Sequence, residues 1–194
     1  MPKEKKLKTV LVTPTGTLSY PWLREADVKF AGTNPDGSPA AGKYKCSIVV
    51  PEGLAIQLMG KLDALAEESF KAAFESAKPQ DKARVQKAEP YKREYDEAGE
   101  LTGNIIFHAK SNFKPKVVDS MLVPVPEEVT PYGGSTGRMS FSPEGYFMAS
   151  TKTAGITLYL QGVQVFMLVT GGTDAGGNCG FSAMTEDELV TVPF

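Results

Sequence analysis

Three segments of the 194-residue chain set lysine or arginine beside aromatic rings. They are Lys43-Tyr44-Lys45, the run from Phe107 through Lys110, Phe113, Lys114 and Lys116, and the run from Arg138 through Phe141 to Tyr146. Cations neutralise phosphate and ring faces stack on bases, so this mixture suits a ligand with flat groups on an anionic backbone. In a regular strand Lys43 and Lys45 share one face, while Arg138 and Ser140 oppose Met139 and Phe141. Ordinary core packing competes with binding for each ring and is the better account of Tyr44 and Phe107. Phe113 sits among polar residues and lysines, where both roles stay open. The sole tryptophan, Trp22, follows Tyr20-Pro21 in an expected loop, where it stacks on a base or caps the fold. Tyr146 is expected just past a turn at Pro143–Gly145, where a ring stands in a groove mouth.

Catalytic patterns are missing by contrast. The only histidine, His108, has no GxSxG elbow to serve. There is no GxxxxGK[ST] phosphate loop, and Thr170-Gly171-Gly172 opens a linker where such a loop would need a helix. Cys46 and Cys179 lie far apart without CxxC spacing, which fits reduced thiols. Glu94, Asp96, Glu97 and Glu100 read as a solvated charge run in a turn-rich loop. No enzyme, metal or cofactor is therefore expected. A nuclease or nucleotide hydrolase using the acids near Asp96 is the third-ranked reading.

The elements that must position these residues are mostly short strands. Residues 7–12 read as a first strand and residues 32–42 as a Gly/Pro-rich loop. Lys43 to Val50 alternates cleanly as a strand and Pro51 ends it. Leu54 to Ser76 is the one clear helix, with Leu54, Leu58, Leu62, Leu65, Ala66, Phe70 and Phe74 as its apolar stripe. The charged stretch 77–100 is expected to be a mobile excursion. Strands are predicted at Gly103–Lys110, Val117–Val123, Gly137–Phe141, Gly145–Ser150 and Ile156–Val169. Strands without alternating helices favour a closed or partly open β-barrel over a βαβ sheet.

Net charge is −2, from 21 basic and 23 acidic residues. Four of the acids, Asp174, Glu186, Asp187 and Glu188, lie after Gly172, where there is no lysine or arginine. The body thus holds 21 basic against 19 acidic residues, about +2, and a near-neutral body still binds a polyanion if its cations share a groove. The apolar stretch Val163–Val169 is too short to span a membrane, and no signal peptide is apparent. The chain is expected to stay soluble in the cytoplasm. Residues 171–194 form a glycine-rich linker and an acidic, partly apolar tip ending in Val-Pro-Phe, following a domain at residues 1–170. Such a tip can compete with phosphate for a basic groove, and Phe194 with its carboxylate can dock on a partner.

The tail resembles the acidic tip of bacterial single-stranded-DNA-binding proteins, which ends in Pro-Phe. The body resembles the replicative single-stranded-DNA-binding proteins of tailed phages. The resemblance lies in Leu18-Ser-Tyr-Pro-Trp22, Gly42 to Pro51, Tyr132-Gly-Gly-Ser through Tyr146, and Gly155 to Val165. It implies an OB-type barrel of about five or more strands, with a helix inserted where Leu54–Ser76 lies. It places groove residues on Arg138 and Tyr146, and then on Lys110 and Phe113. The tail is shorter and less acidic than in some members. The expected function is sequence-independent coating of single-stranded DNA during phage replication and recombination. The full set of expected contacts is Trp22, Lys43, Lys45, Lys110, Phe113, Lys114, Lys116, Arg138, Phe141 and Tyr146. Glu186, Asp187, Glu188, Pro193 and Phe194 are expected to recruit replication or recombination proteins. A homo-oligomer is compatible with the sequence. The alternative is a β-barrel interaction or structural phage protein that does not bind DNA.

Overall fold

The computed structural model describes residues 9–29, 32–33, 36–38 and 40–170. Cys179, the glycine-rich linker and the tip residues Glu186, Asp187, Glu188, Pro193 and Phe194 lie outside the described residues, as does the start of the first expected strand. In chain order the elements are β1 (Leu11–Val12), β2 (Gly16–Asp27), β3 (Lys43–Pro51), α1 (Glu52–Ser76) and α2 (Pro79–Lys82). There follow β4 (Gln86–Lys87), β5 (Lys92–Tyr95), β6 (Leu101–Ser111), β7 (Lys116–Val118), β8 (Thr136–Met148) and β9 (Thr153–Met167).

Five long strands close on themselves in the order β8-β2-β3-β6-β9, and the β8–β9 ladder completes the ring. The fold is mainly β with one long helix inserted between barrel strands, as expected. Period-two alternation fills the interior. Cys46, Ile48 and Val50 of β3 and Ile105, Phe107 and Ala109 of β6 are fully buried. On α1, Ala55, Leu58, Met59 and Leu62 recur at helical spacing and join this core. The helix lies across β8 and β9, and Ser69 Oγ donates to the carbonyl of Gly155 at 2.9 Å. Leu54 and Phe74, expected in the buried stripe, are exposed instead. The small side chains Ala55, Ala66 and Ala73 let the helix approach the sheet, so the buried face is rotated from the one the large residues mark.

Among several register shifts, two bulges in long strands shift the inward phase. In β2 three residues from Ser19 to Trp22 span two of β3, and in β9 Gln161 is the extra residue opposite Ser140–Phe141. Leu18 and Leu23 both face the core across the first, as do Leu160 and Val163 across the second.

Several local expectations need correction. Trp22 lies within β2, because Pro21 is absorbed at the bulge. Gly137–Phe141 and the second expected strand, which ends at Met148 and not Ser150, are parts of one strand with no turn at Pro143, since beyond Phe141 β8 pairs only with β9. A strand with one open edge tolerates proline there. Residues 77–100 hold α2, β4 and β5. Of their charges only Lys87, Lys92, Arg93 and Glu94 lie on strands, and Asp96 and Gly99 (φ +82°) shape the β5–β6 hairpin turn. The strand expected over Val117–Val123 ends at Val118. Asp119 Oδ1 accepts from the backbone N–H groups of Met121 (2.8 Å) and Val123 (2.9 Å), which reverses the chain.

Candidate nucleic-acid interface

Ladder register assembles one row of side chains across the outside of the barrel. Trp22 pairs with Lys45, Lys45 with Lys110, and Lys110 with Tyr159, so the row crosses β2, β3, β6 and β9. Their strand neighbours Leu23, Cys46, Ala109, Leu158 and Leu160 are buried, which turns the row outward. In the next row Ser47 pairs with His108, and the Ser47 hydroxyl lies 2.8 Å from His108 Nδ1.

The parallel register of β6 with β9 holds the single pair Lys110–Tyr159. Beside it the two strands part, leaving a cleft of about 420 Å³. Lys92, His108, Lys110, Tyr91 and Tyr146 line it, with Ile106 and Ile156 as apolar floor. Tyr91 is braced by an edge-on contact with Phe107 and by donating to Asp63 of α1 at 3.0 Å. Burial and the Asp63 hydrogen bond raise its phenol above the usual range. Tyr146 stands against the bare backbone of Gly155, its cross-strand partner; a Cβ there would come within 3.0 Å of the Tyr146 hydroxyl.

Cations outnumber carboxylates in the cleft: Lys92 and Lys110 line it against the single acid Glu89. Among the described residues, no carboxylate lies within ion-pair distance of Lys92 or Lys110. Lys45 pairs with the buried carboxylate of Asp27. His108 is held below the usual histidine range, first by lost hydration and then by Lys110, Lys45 and Lys92. A site where three ammonium groups disfavour a fourth positive charge is one that attracts an anion.

The structure thus brings Lys110 and Tyr146 into one cleft, with Lys45 beside Lys110 in the row and Trp22 at the row's end. It does not gather the remaining expected contacts there. Phe141 is fully buried in the core, because it alternates inward with Met139; its expected contact with DNA is corrected. Arg138 lines a different groove of about 410 Å³ with Lys116, Val12 and Gln164, and its guanidinium sits 5.4 Å from the Phe166 ring centre. Tyr146 lies eight positions further along β8, about 26 Å away at ~3.3 Å per strand residue. Lys114 pairs with Glu127, and Lys43 is exposed at the start of β3. Phe113 is 81% exposed just beyond β6. Sequence reasoning passed over Lys92 and His108 as cleft residues and Tyr159 as a member of the outward row. Tyr159 was legible as the outward member of Leu158-Tyr159-Leu160, whereas Lys92 is placed only by the β5–β6 hairpin.

A closed barrel with a basic, aromatic cleft where two strands part is a β-barrel protein suited to an extended anionic ligand. The chain belongs to the family of the single-stranded-DNA-binding protein of Enterobacter phage Enc34, whose family model matches residues 14–188. No curated protein sequence matches it. Among solved structures it is similar to gp2.5, a single-stranded-DNA-binding protein encoded by bacteriophage T7, at 20% identity and a TM-score of 0.64 over 88% of this chain and 98% of that one. It is also similar to the single-stranded-DNA-binding protein of bacteriophage Enc34, at 16% identity and a TM-score of 0.59 over 88% and 92% of the two chains. The structure of that protein in complex with single-stranded DNA matches at 18% identity and a TM-score of 0.57, over 87% and 96%. Among the described residues, no helix is long and apolar enough to cross a membrane.

Proposed function

We propose that this chain binds single-stranded DNA without sequence preference during phage replication and recombination, and that the cleft between β6 and β9 is its principal contact. The observation that carries this reading is the outward row Trp22–Lys45–Lys110–Tyr159, running past the cleft that holds Lys92, His108 and Tyr146. Lysines at strand spacing neutralise successive phosphates, and the interleaved rings stack on bases of any identity. Family membership and the likeness to a structure with bound single-stranded DNA support it. The protein acts by binding, without catalytic chemistry or a cofactor, in the host cytoplasm. Residues 1–170 form the binding domain. Residues 171–194 act as a linker and a tip, whose Glu186, Asp187, Glu188, Pro193 and Phe194 engage replication or recombination proteins. Fluorescence anisotropy with labelled oligo(dT), the matching duplex and an RNA oligomer tests the reading. Tight, salt-sensitive binding of the single strand over the duplex is expected. Equal affinity for both, independent of salt, overturns it.

A further inference from the structure

We infer that Tyr20, Trp22 and Tyr132 form a separate base-stacking pocket, which extends the strand path beyond the lysine row onto β2. The inference rests on the reading of the chain as a single-strand binder. Its origin is the β2 bulge. Regular alternation from the buried Leu18 would send Tyr20 and Trp22 into the barrel. Tyr20 instead takes φ +47°, in the left-handed region that bulky side chains avoid. The extra residue this inserts between Ser19 and Trp22 leaves Leu18 and Leu23 both buried and turns the two rings out. Tyr20 is 80% exposed and Trp22 40% exposed. A strained backbone that moves large rings out of a core is spent on something other than packing.

The opposite wall is built to match. The 49%-exposed Tyr132 is fixed by its N–H donating to the Val169 carbonyl at 2.9 Å, and the Gly134 N–H donates to the Leu18 carbonyl at 2.9 Å. Gly133 and Gly134 add no side chains to the space between, a groove of about 820 Å³. The charged residues lining this groove are Arg24 and Glu25. Arg24 is committed elsewhere, donating to the carbonyls of Val129 (2.9 Å), Val125 (2.9 Å) and Pro126 (2.7 Å). The groove therefore offers three rings and no uncommitted cation, which suits an uncharged flat group and not a phosphate. It is continuous with the basic row, because Trp22 is the register partner of Lys45. The occupant this favours is a base or two of the same single strand whose phosphates lie on Lys45 and Lys110.

Trp22 is the only tryptophan, so its emission reports on this pocket alone. The full chain is titrated with oligo(dT) and with an abasic oligomer of the same length. Oligo(dT) should quench Trp22 emission, and the abasic strand should not. Tyr20→Gly and Tyr132→Ala should each weaken oligo(dT) binding by about fivefold or more, leaving the abasic affinity and the salt slope unchanged. Tyr20→Gly should also hold or raise Tm, since glycine adopts this φ without strain. Unchanged Trp22 emission at saturating oligo(dT), or wild-type affinity in both variants, overturns the pocket while single-strand binding stands. Tyr20→Gly losing Tm and affinity together assigns Tyr20 a purely structural role and also overturns it. Failure of the wild-type chain to bind oligo(dT) at all removes the functional reading and the pocket with it.

Discussion

Lys45 and Lys110 stand directly opposite each other in the antiparallel β3–β6 ladder, both on the outward face. Like charges in that relation destabilise a sheet. The buried Asp27 compensates Lys45, while among the described residues no carboxylate lies within reach of Lys110. His108, two pairs along the ladder, adds a third titratable nitrogen group to the same face. On the proposed reading, phosphate lying across this arrangement relieves the repulsion, which makes the cleft the expected source of affinity.

Lys110→Ala should therefore separate binding from folding. Removing one phosphate contact should weaken oligo(dT) binding and make the log–log salt slope shallower by about 0.7. Tm should stay level or rise, since a like-charge opposition is relieved. Salt titrations by anisotropy, beside a thermal melt, measure both. An unchanged slope would show that Lys110 touches no phosphate.

His108 should make binding depend on pH. It is the only histidine, so it is the side chain expected to titrate between about pH 5 and 8. Its folded pKa lies below the usual value, so the unfolded chain binds the proton more readily. Stability is then fully present above the unfolded pKa and is lost as pH falls through the folded one. Phosphate beside the ring acts oppositely and favours the charged form. Oligo(dT) affinity should rise between pH 7.5 and pH 5.5, by no more than roughly tenfold per pH unit for one proton. His108→Gln should flatten that rise. A variant with the wild-type pH profile would place the coupling elsewhere.

Phe141 and Arg138, close neighbours on β8, should behave as opposites. Phe141→Ala opens a cavity in the barrel core and should cost about 3–5 kcal/mol in chemical denaturation. Arg138→Ala should leave stability close to wild type and weaken oligo(dT) less than Lys110→Ala does, because it lines a different groove. If Arg138→Ala has the larger effect, the strand passes around β8 and across Lys116.

Deleting residues 173–194 should leave the melt intact and raise oligo(dT) affinity, most visibly at low salt. Those residues carry four acids and no base, and on the proposed reading the tail acts as a tether that keeps them concentrated near the cleft. Deleting Phe194 alone should leave affinity near wild type and abolish pull-down of a replication partner. Lower affinity after the larger deletion would mean these residues pack as part of the barrel.

Much of this protein was written in local pattern. The alternation of Lys43–Val50 and the stripe of α1 needed no partners to be read, because hydrophobic period reports directly on which side of an element faces a core. Lys45, Lys110, Tyr146 and Trp22 were identifiable by type for the same reason: cations and rings on polar strand faces are a chemical signature. What the sequence could not hold was their company. Arg138 and Tyr146 look adjacent along the chain yet face different grooves. Lys92, far from Lys110 in sequence and in a charged stretch without visible period, lines the same cleft. The phase of β2 was hidden too, because Tyr20 adopts a backbone conformation its residue type disfavours, and only pairing with β3 on one side and packing of Leu18 and Leu23 on the other hold it there. Local periodicity fixes a side chain's face within its own strand; which faces meet is decided by register, bulges and barrel closure, and these depend on contacts between residues far apart in the chain.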